Sequence, residues 1–407
     1  MTFSRSLSEF KEEITMAVND LTFNQLSTVL NGIVAQATGT SPITPTNTAE
    51  FVTVAQMGLK AGYDVLNTAI SQVLSKTIFS VRPYTAKFKS LQMSEQRYGN
   101  HVRKLQMLDS SWSNDDRLSL VDGESVDQQI VKKPETIQTN FYGSNVYQKQ
   151  TTVYRDQLDM AFSGPDEFQR FIAMQMQNIS DQMEQAHENT ARATLANLIG
   201  GVISIGNTAQ VVHLLTEYNA ATGVELTANT VYQPANYAPF MKWVYGRIAA
   251  IADMLTERSA IYHTNLEGKP IMRHTPQNYL NVYLFSRAMH DITSRVLADT
   301  YHDNFLKLAD HETVNYWQSI ETPDTIKVKP VYFNKADGSL TTAAEAMTQA
   351  NIFGVMFDDE AAGYVRVNQW SAPAPFNARG GYQNTFWHFT DRYFNDFTEN
   401  AVVLLMD

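Results

Sequence analysis

Apolar positions spaced three, four or seven apart mark the longest regular stretch of the chain. In "SGPDEFQRFIAMQMQNISDQMEQAHENTARATLANLIGG", Ser163 to Gly201, the residues Phe168, Ile172, Ile179, Met183, Ala186, Ala193 and Leu198 form one stripe, with a shorter flank at Phe171, Met174 and Leu195. The spacing predicts one uninterrupted helix of roughly 50 Å at 1.5 Å per residue. Ser163 or Gly164 can cap it, Pro165 suits the first turn, Asp166 and Glu167 face the positive dipole end, and Gly200-Gly201 is the expected stop. The core face of this spine is therefore read as Phe168, Ile172, Ile179, Met183 and Ala186, with the amide-rich remainder exposed.

Upstream, residues 7 to 36 carry two amphipathic helical patterns, the second with Leu21, Phe23, Leu26, Leu30, Ile33 and Val34, before the breaker-rich "TGTSPITPTNT" at 38 to 48. This reads as an arm, loosely attached to any core. Another helical pattern spans 51 to 80. Strand alternation begins at Tyr84, Ala86 and Phe88 and resumes in "ETIQTNFYGSNVYQKQTTVY", which predicts a long two-stranded excursion over 84–154. Such a ribbon is marginal alone in water and needs something to lie on. Downstream, Phe240, Val244, Ile248, Ile251 and Leu255 predict a second helix over 237–258. Strands and helices then alternate as in a mixed α/β lobe. The closing stretch predicts an alternating strand at 384–393, then an apolar run, Ala401 to Met406, that needs cover on both faces.

Charge changes the picture of the excursion. Its base carries Arg82, Lys87, Lys89, Arg97, Arg103 and Lys104 against Glu95 alone, and its tip carries Asp109, Asp115, Asp116, Asp122, Glu124 and Asp127 against Arg117. A solvated surface hairpin is the plainer alternative. Over the whole chain, 43% hydrophobic, 18% charged and 11% aromatic residues in 407 describe a globular protein short of charge, with surface to bury in partners. A net charge of −11 argues against tight phosphate-driven nucleic-acid binding. The absence of cysteine excludes disulfides, thiolate metal sites and cysteine nucleophiles. No signal-peptide core or membrane-length apolar run is present.

No GxGxxG turn, GxxxxGK loop or GxSxG elbow occurs in the sequence. His187 and Glu188 lack the second histidine of a zinc helix and read as solvated helix residues. "FDDE", Phe357 to Glu360, reads as a charged turn between strands rather than a cation site, and His263 and His274 have no carboxylate that spacing would pair with them. No catalytic residue, metal site or cofactor is expected.

The order of elements resembles the major capsid protein of tailed double-stranded-DNA bacteriophages, the Hong Kong 97-type fold, in particular that of small short-tailed, protein-primed phages. The resemblance lies in "VLSKTIFSVRPYTAKFKSLQMSEQRYGNHVRKL", in "ENTARATLANLIGG" and above all in "NARGGYQNTFWHFTDRYFNDFTENAVVLLM". In the last stretch the matching letters are Asn377, Arg379, Gly380, Tyr382, His388, Phe397, Asn400, Ala401 and Val402. It implies an α+β fold with an N-terminal arm (1–50), a lead-in (51–83), an extended loop (84–154) and a peripheral domain (155–260, spine 165–199). An axial domain (261–371) and closing peripheral strands (372–407) follow. It further implies pentamers and hexamers in an icosahedral shell around double-stranded DNA held non-specifically, portal and scaffolding partners, no membrane, and assembly in the host cytoplasm. The loop would lie over a neighbour, presenting Asp109, Trp112, Asp115, Asp116, Asp122 and Glu124 to Lys87, Lys89, Arg97, Arg103 and Lys104 of the next copy. Relatives of this kind can join a lysine to an asparagine, but no such pair stands out, so a noncovalent shell is expected. An encapsulin-like compartment sharing the fold, and an enzyme with an unrecognised site, are the alternatives.

Overall fold

The computed structural model of the chain describes residues 22–40, 42, 44–76, 87–93, 101–108, 114–118, 120–127, 129, 131, 133, 135–266, 270–292, 311–334 and 338–407. Three helices come first, α1 (Phe23–Thr38), α2 (Thr48–Lys60) and α3 (Tyr63–Lys76). Gln25 reaches back to the Thr22 amide at 2.8 Å to start α1, and the Asn47 side chain accepts the Glu50 amide at 2.9 Å to start α2. An antiparallel ribbon follows, β1 (Val102–Met107) with β2 (Thr136–Phe141), then β3 (Ser144–Tyr154), α4 (Arg155–Ala161) and the spine α5 (Pro165–Ile205). β4 (Val211–His213), α6 (Leu214–Thr222), α7 (Pro234–Thr256), β5 (Leu280–Phe285), α8 (Ser286–Ile292) and β6 (Glu312–Val314) come next. After the short strands β7 (Ile326–Val328), β8 (Val331–Phe333), β9 (Leu340–Thr342) and β10 (Met347–Gln349), the chain closes with β11 (Ile352–Asp358), β12 (Ala362–Pro373), β13 (Tyr382–Asn395) and β14 (Ala401–Leu405).

The chain divides into two compact units, and the spine contributes to both, its residues up to Asn189 to the first and the rest to the second. The first unit contains α1 to α3. The expectation of a loose arm is not met for the described part: Leu26, Leu30, Ile33 and Val34 of α1 are buried with Phe51, Val54, Leu66 and Ile70, and with Phe162, Phe168 and Ile172 around the start of the spine. Two amphipathic faces meeting a third leave no reason for α1 to stay apart. Farther along the same unit, Ile179 and Met183 pack on Trp387 and Phe389 of β13, whose sheet runs β12-β13-β3. Strand β3 therefore does not prolong the ribbon, which is shorter than the expected excursion.

The second unit is built on a five-stranded sheet, β4-β14-β11-β5-β6. Alternation decides its two faces. Val282, Leu284, Phe353, Met356, Val402 and Leu404 pack against α7 through Phe240, Val244, Ile248, Ile251 and Leu255. Tyr283, Val355, Phe357, Ala401, Val403 and Leu405 pack on the other side against the later spine residues Leu195, Leu198, Ile199 and Val202. This double cover is why the closing apolar run has no polar alternation.

Two expectations about the spine are corrected. The helix does not stop at Gly200-Gly201 but runs to Ile205 and ends at Gly206, which adopts a φ of 67°. The glycines inside it serve close approach instead, since a Cβ on Gly200 would lie 2.6 Å from Val328 and one on Gly201 2.4 Å from the Phe397 ring. Nor is its polar side uniformly solvated. Met174 and Ala193 are exposed, whereas Thr190, Arg192 and Thr194 are buried. His187 and Glu188, expected in water, are buried too: His187 Nδ1 and the Tyr147 hydroxyl each lie 2.8 Å from Asp391 Oδ2.

Gly201→Val will lower stability by about 1–3 kcal/mol through overpacking. Gly246→Ala, with nothing within 4 Å of the new Cβ in the middle of α7, will raise it by about 0.5–1 kcal/mol. Denaturant melts of the two variants beside the parent give both signs.

Candidate assembly site: the ribbon and its ionic root

The pleat of β1 sorts its residues. Val102, Lys104 and Gln106 turn to one side and are half-buried, and Arg103, Leu105 and Met107 turn to the other and are exposed. The inward set fastens the ribbon. Lys104 Nζ lies 2.5 Å from Glu399 Oε1, 2.9 Å from Glu360 Oε2 and 3.0 Å from Asp396 Oδ2. Arg273 Nε is 3.1 Å from Glu399 Oε1 and donates at 3.0 Å to the Thr398 carbonyl, and the same guanidinium donates to Gln106 Oε1. On the other strand the Phe141 ring sits 5.3 Å from that of Phe394, and the Gly143 carbonyl accepts the Tyr393 amide at 3.2 Å.

The carboxylates differ in setting. Asp396 and Glu399 are buried while Glu360 is largely exposed. Burial alone would push the Lys104 ammonium down, but Asp396 and Glu399 outweigh it and hold the group well above the ordinary lysine value. Its stabilising contribution is thus present below the ordinary value of 10.5 and is lost only as pH rises through the higher folded value. Burial holds the Glu399 carboxyl above the ordinary carboxylate range, against Lys104 and Arg273, which pull it down. The segment supplying these groups, "DFTEN" at 396 to 400, is buried throughout. Asp396 Oδ1 accepts both the amide (2.9 Å) and the hydroxyl (2.6 Å) of Thr398, and Phe397 fills the space opposite Gly201.

The expected site residues fall into three groups. Asp109, Trp112 and Arg97 lie outside the described residues, as does the side chain of Lys89, whose backbone belongs to a single 3₁₀ turn. Asp115, Asp116, Asp122 and Glu124 are exposed in the connection between β1 and β2, as are Lys87 and Arg103. Asp115 holds Arg117 in a fork with contacts of 2.5 to 3.1 Å, which lowers the Asp115 carboxyl. Lys104 is different: assigned from sequence to a neighbour, it is engaged within its own chain because the pleat turns it onto the body. On the spine, Phe168, Ile172 and Ile179 are buried, and Met183 and Ala186 half-buried.

Sequence reasoning missed Glu360, Asp396, Glu399 and Arg273 as one cluster, since they meet only through the fold. The available signal was the polar run "DFTEN" set directly before "AVVLLM". It also missed the exposed apolar residues of the ribbon and its tip: Leu105, Met107, Leu118, Leu120, Val121, Val126 and Val131, of which Leu118 is 85% and Val131 81% exposed. Of "FDDE", read as a turn, only Asp359 and Glu360 lie in the turn between β11 and β12; Phe357 and Asp358 are the buried end of β11. Among the described residues no histidine, aspartate and glutamate group is arranged to hold a metal ion, and no helix is long and apolar enough to cross a membrane.

A capsid chain of Staphylococcus phage Andhra is similar in structure at 10% identity, with 80% of this chain and 85% of that chain covered and a TM-score of 0.53. A chain in the structure of the head fiber and inner core protein gp22 of native bacteriophage P68 is similar at 12% identity, with 81% and 87% covered and a TM-score of 0.52. The fold is thus that of tailed-phage capsid proteins, the Hong Kong 97-type class expected from the sequence. Among curated proteins the sequence has no match. The profile of the Phi29-like phage major capsid proteins matches residues 26–405, and the chain belongs to that family. It is a structural protein whose copies build the icosahedral head of a phage.

Lys104→Met will leave Asp396 without its cation and Glu399 with Arg273 alone and cost about 3–5 kcal/mol, whereas Lys104→Met with Asp396→Asn and Glu399→Gln will recover most of the loss. Urea unfolding of the two variants distinguishes a coupled cluster from independent contacts.

Proposed function

We propose that the chain forms pentamers and hexamers which close, without covalent links, into the head of a short-tailed phage around packaged double-stranded DNA, in the host cytoplasm and with portal and scaffolding proteins. The family match over residues 26–405 carries this reading. Residues 51–83 serve as lead-in, 155–260 with 372–407 as peripheral domain and 261–371 as axial domain, while α1, packed with α2 and α3, belongs to the body rather than to an arm. DNA is held weakly and without sequence preference, in keeping with the net charge of −11.

The ribbon makes the main contact with a neighbour. Its exposed apolar tip supports this, because a row such as Leu118, Leu120, Val121, Val126 and Val131 gains by leaving water. Asp115, Asp116, Asp122 and Glu124 set the register against exposed cations of the next copy, Lys87 and Arg103 among them, since opposite potentials steer docking more than they tighten it. Each exposed pair is worth about 0.2–1 kcal/mol, and the shell repeats it many times.

At micromolar concentration the protein will sediment as megadalton particles or capsomers, and a stable monomer would sink the proposal. Leu118→Asp with Val121→Asp will abolish assembly while leaving circular dichroism unchanged, because both side chains are exposed in the single chain. Asp115→Lys with Asp116→Lys will slow assembly at low salt and match the parent at about 1 M salt, where charges beyond about 3 Å are screened. Equal assembly at both salts would leave the acidic tip as a solvated loop.

A further inference from the structure

His263 lies buried beside the ribbon root, in the same unit. Its ring nitrogens both face oxygen: Nε2 is 2.5 Å from the Ile271 carbonyl and Nδ1 is 3.1 Å from Asn400 Oδ1. The chain of bonds continues outward. Asn400 Nδ2 donates to Thr275 Oγ1 at 3.1 Å, and that hydroxyl donates to Asp358 Oδ2 at 2.7 Å. A neutral imidazole has a single N–H, so it can serve only one of its two acceptors. Turning the Asn400 amide to meet the other would set its oxygen against Thr275, whose one proton is already committed to Asp358. The network is therefore one donor short with a neutral ring. Protonation supplies that donor, but it places a second buried cation near Arg273.

Arg273 is also the residue that grips Gln106 of the ribbon, and Glu399, next in sequence to Asn400, is its counter-ion. Two protonatable groups therefore act on one guanidinium in the same sense. A charged His263 repels Arg273, and a protonated Glu399 no longer holds it. The second event also leaves Lys104 on Asp396 and Glu360 alone.

We propose that His263, Arg273 and Glu399 form an acid-operated latch: protonating the two buried groups in mildly acidic solution withdraws Arg273 from Gln106 and loosens the ribbon from the body. The latch acts within one chain and stands whether or not the ribbon docks on a neighbour.

Burial pushes His263 below its ordinary value of 6.5, with Arg273 adding to this against the bonds to Asn400, Ile271 and Asn265. Burial raises Glu399 above its ordinary 4.5, against Lys104 and Arg273. The two transitions thus move toward each other from their ordinary values. Their signs differ for global stability. A depressed histidine costs stability as pH falls through its folded value, whereas a raised carboxyl is protonated more readily in the folded chain than in the unfolded one. Release is consequently a local event, and a ribbon detached from its support is marginal and exchanges its amides.

The test is hydrogen exchange by mass spectrometry on the full-length protein, corrected for intrinsic pH dependence, at about pH 7 and about pH 5. Protection of 102–107 and 136–141 should fall about tenfold on acidification relative to β11 and β14. Glu399→Gln should loosen the ribbon already at neutral pH and shrink the response, and His263→Gln should shrink it while leaving the neutral-pH protection high. Ribbon protection that follows β11 and β14 at both pH values, or a parent-sized response in both variants, would overturn the latch. Should Glu399→Gln fail to fold, the parent series and His263→Gln decide.

Discussion

A two-stranded ribbon has one hydrogen-bonded pairing and no core, so whatever holds its root decides where it points. In this chain the holding group is a lysine ammonium enclosed by three carboxylates, with an arginine bracing one of the two buried ones, Glu399. The inward side of β1 offers the body Val102, Lys104 and Gln106. Two of these are polar, and each is met by a side chain from the segment around Arg273 or from the run before β14. The candidate assembly site follows from that attachment, because it leaves the opposite face of β1 and the described apolar residues of the tip exposed.

Such an ionic root is a poor choice for stability alone. Removing a lysine and two carboxylates from water costs several kcal/mol per ion, and apolar residues of the same shape would hold the ribbon at least as firmly. What ions add is a requirement for particular partners, because a buried ammonium that loses its carboxylates leaves uncompensated charge behind. They also add sensitivity to protonation. The packing beneath is of the opposite kind: Gly200 and Gly201 let the spine approach Val328 and Phe397 so closely that no side chain fits between. A close-packed contact and a conditional one thus share one short segment, since Phe397 packs at Gly201 and stands in sequence between Asp396 and Glu399.

For a shell protein this division is useful. The body must be the same in every copy, and double cover of the five-stranded sheet achieves that. The ribbon is left with an exposed apolar tip, which the proposed assembly buries on a different chain. The low charge content of the chain is in keeping with copies that meet one another over much of their surface.

The spine, the α7 face and the doubly covered closing strand were legible in the sequence, because each is a period repeated over enough residues to stand above chance: Phe240 to Leu255 at helical spacing, Ala401 to Leu405 without a polar break. The family resemblance was legible for the same reason, in the closing stretch. What the sequence could not determine by itself was what each polar residue would face. Gly200 and Gly201 read as a stop because glycine usually is one, and only the strand packed against them shows that they are points of contact. His187 and Glu188 read as solvated because nothing nearby in sequence pairs with them, while the partner of His187 is Asp391, two hundred residues away. Lys104 read as a cation for a neighbour because its charge was visible and its side of the pleat was not. Periodicity is a local property and survives in one dimension, whereas the pairing of a buried charge depends on which distant residues the fold brings to it, and that was decided by the tertiary structure alone.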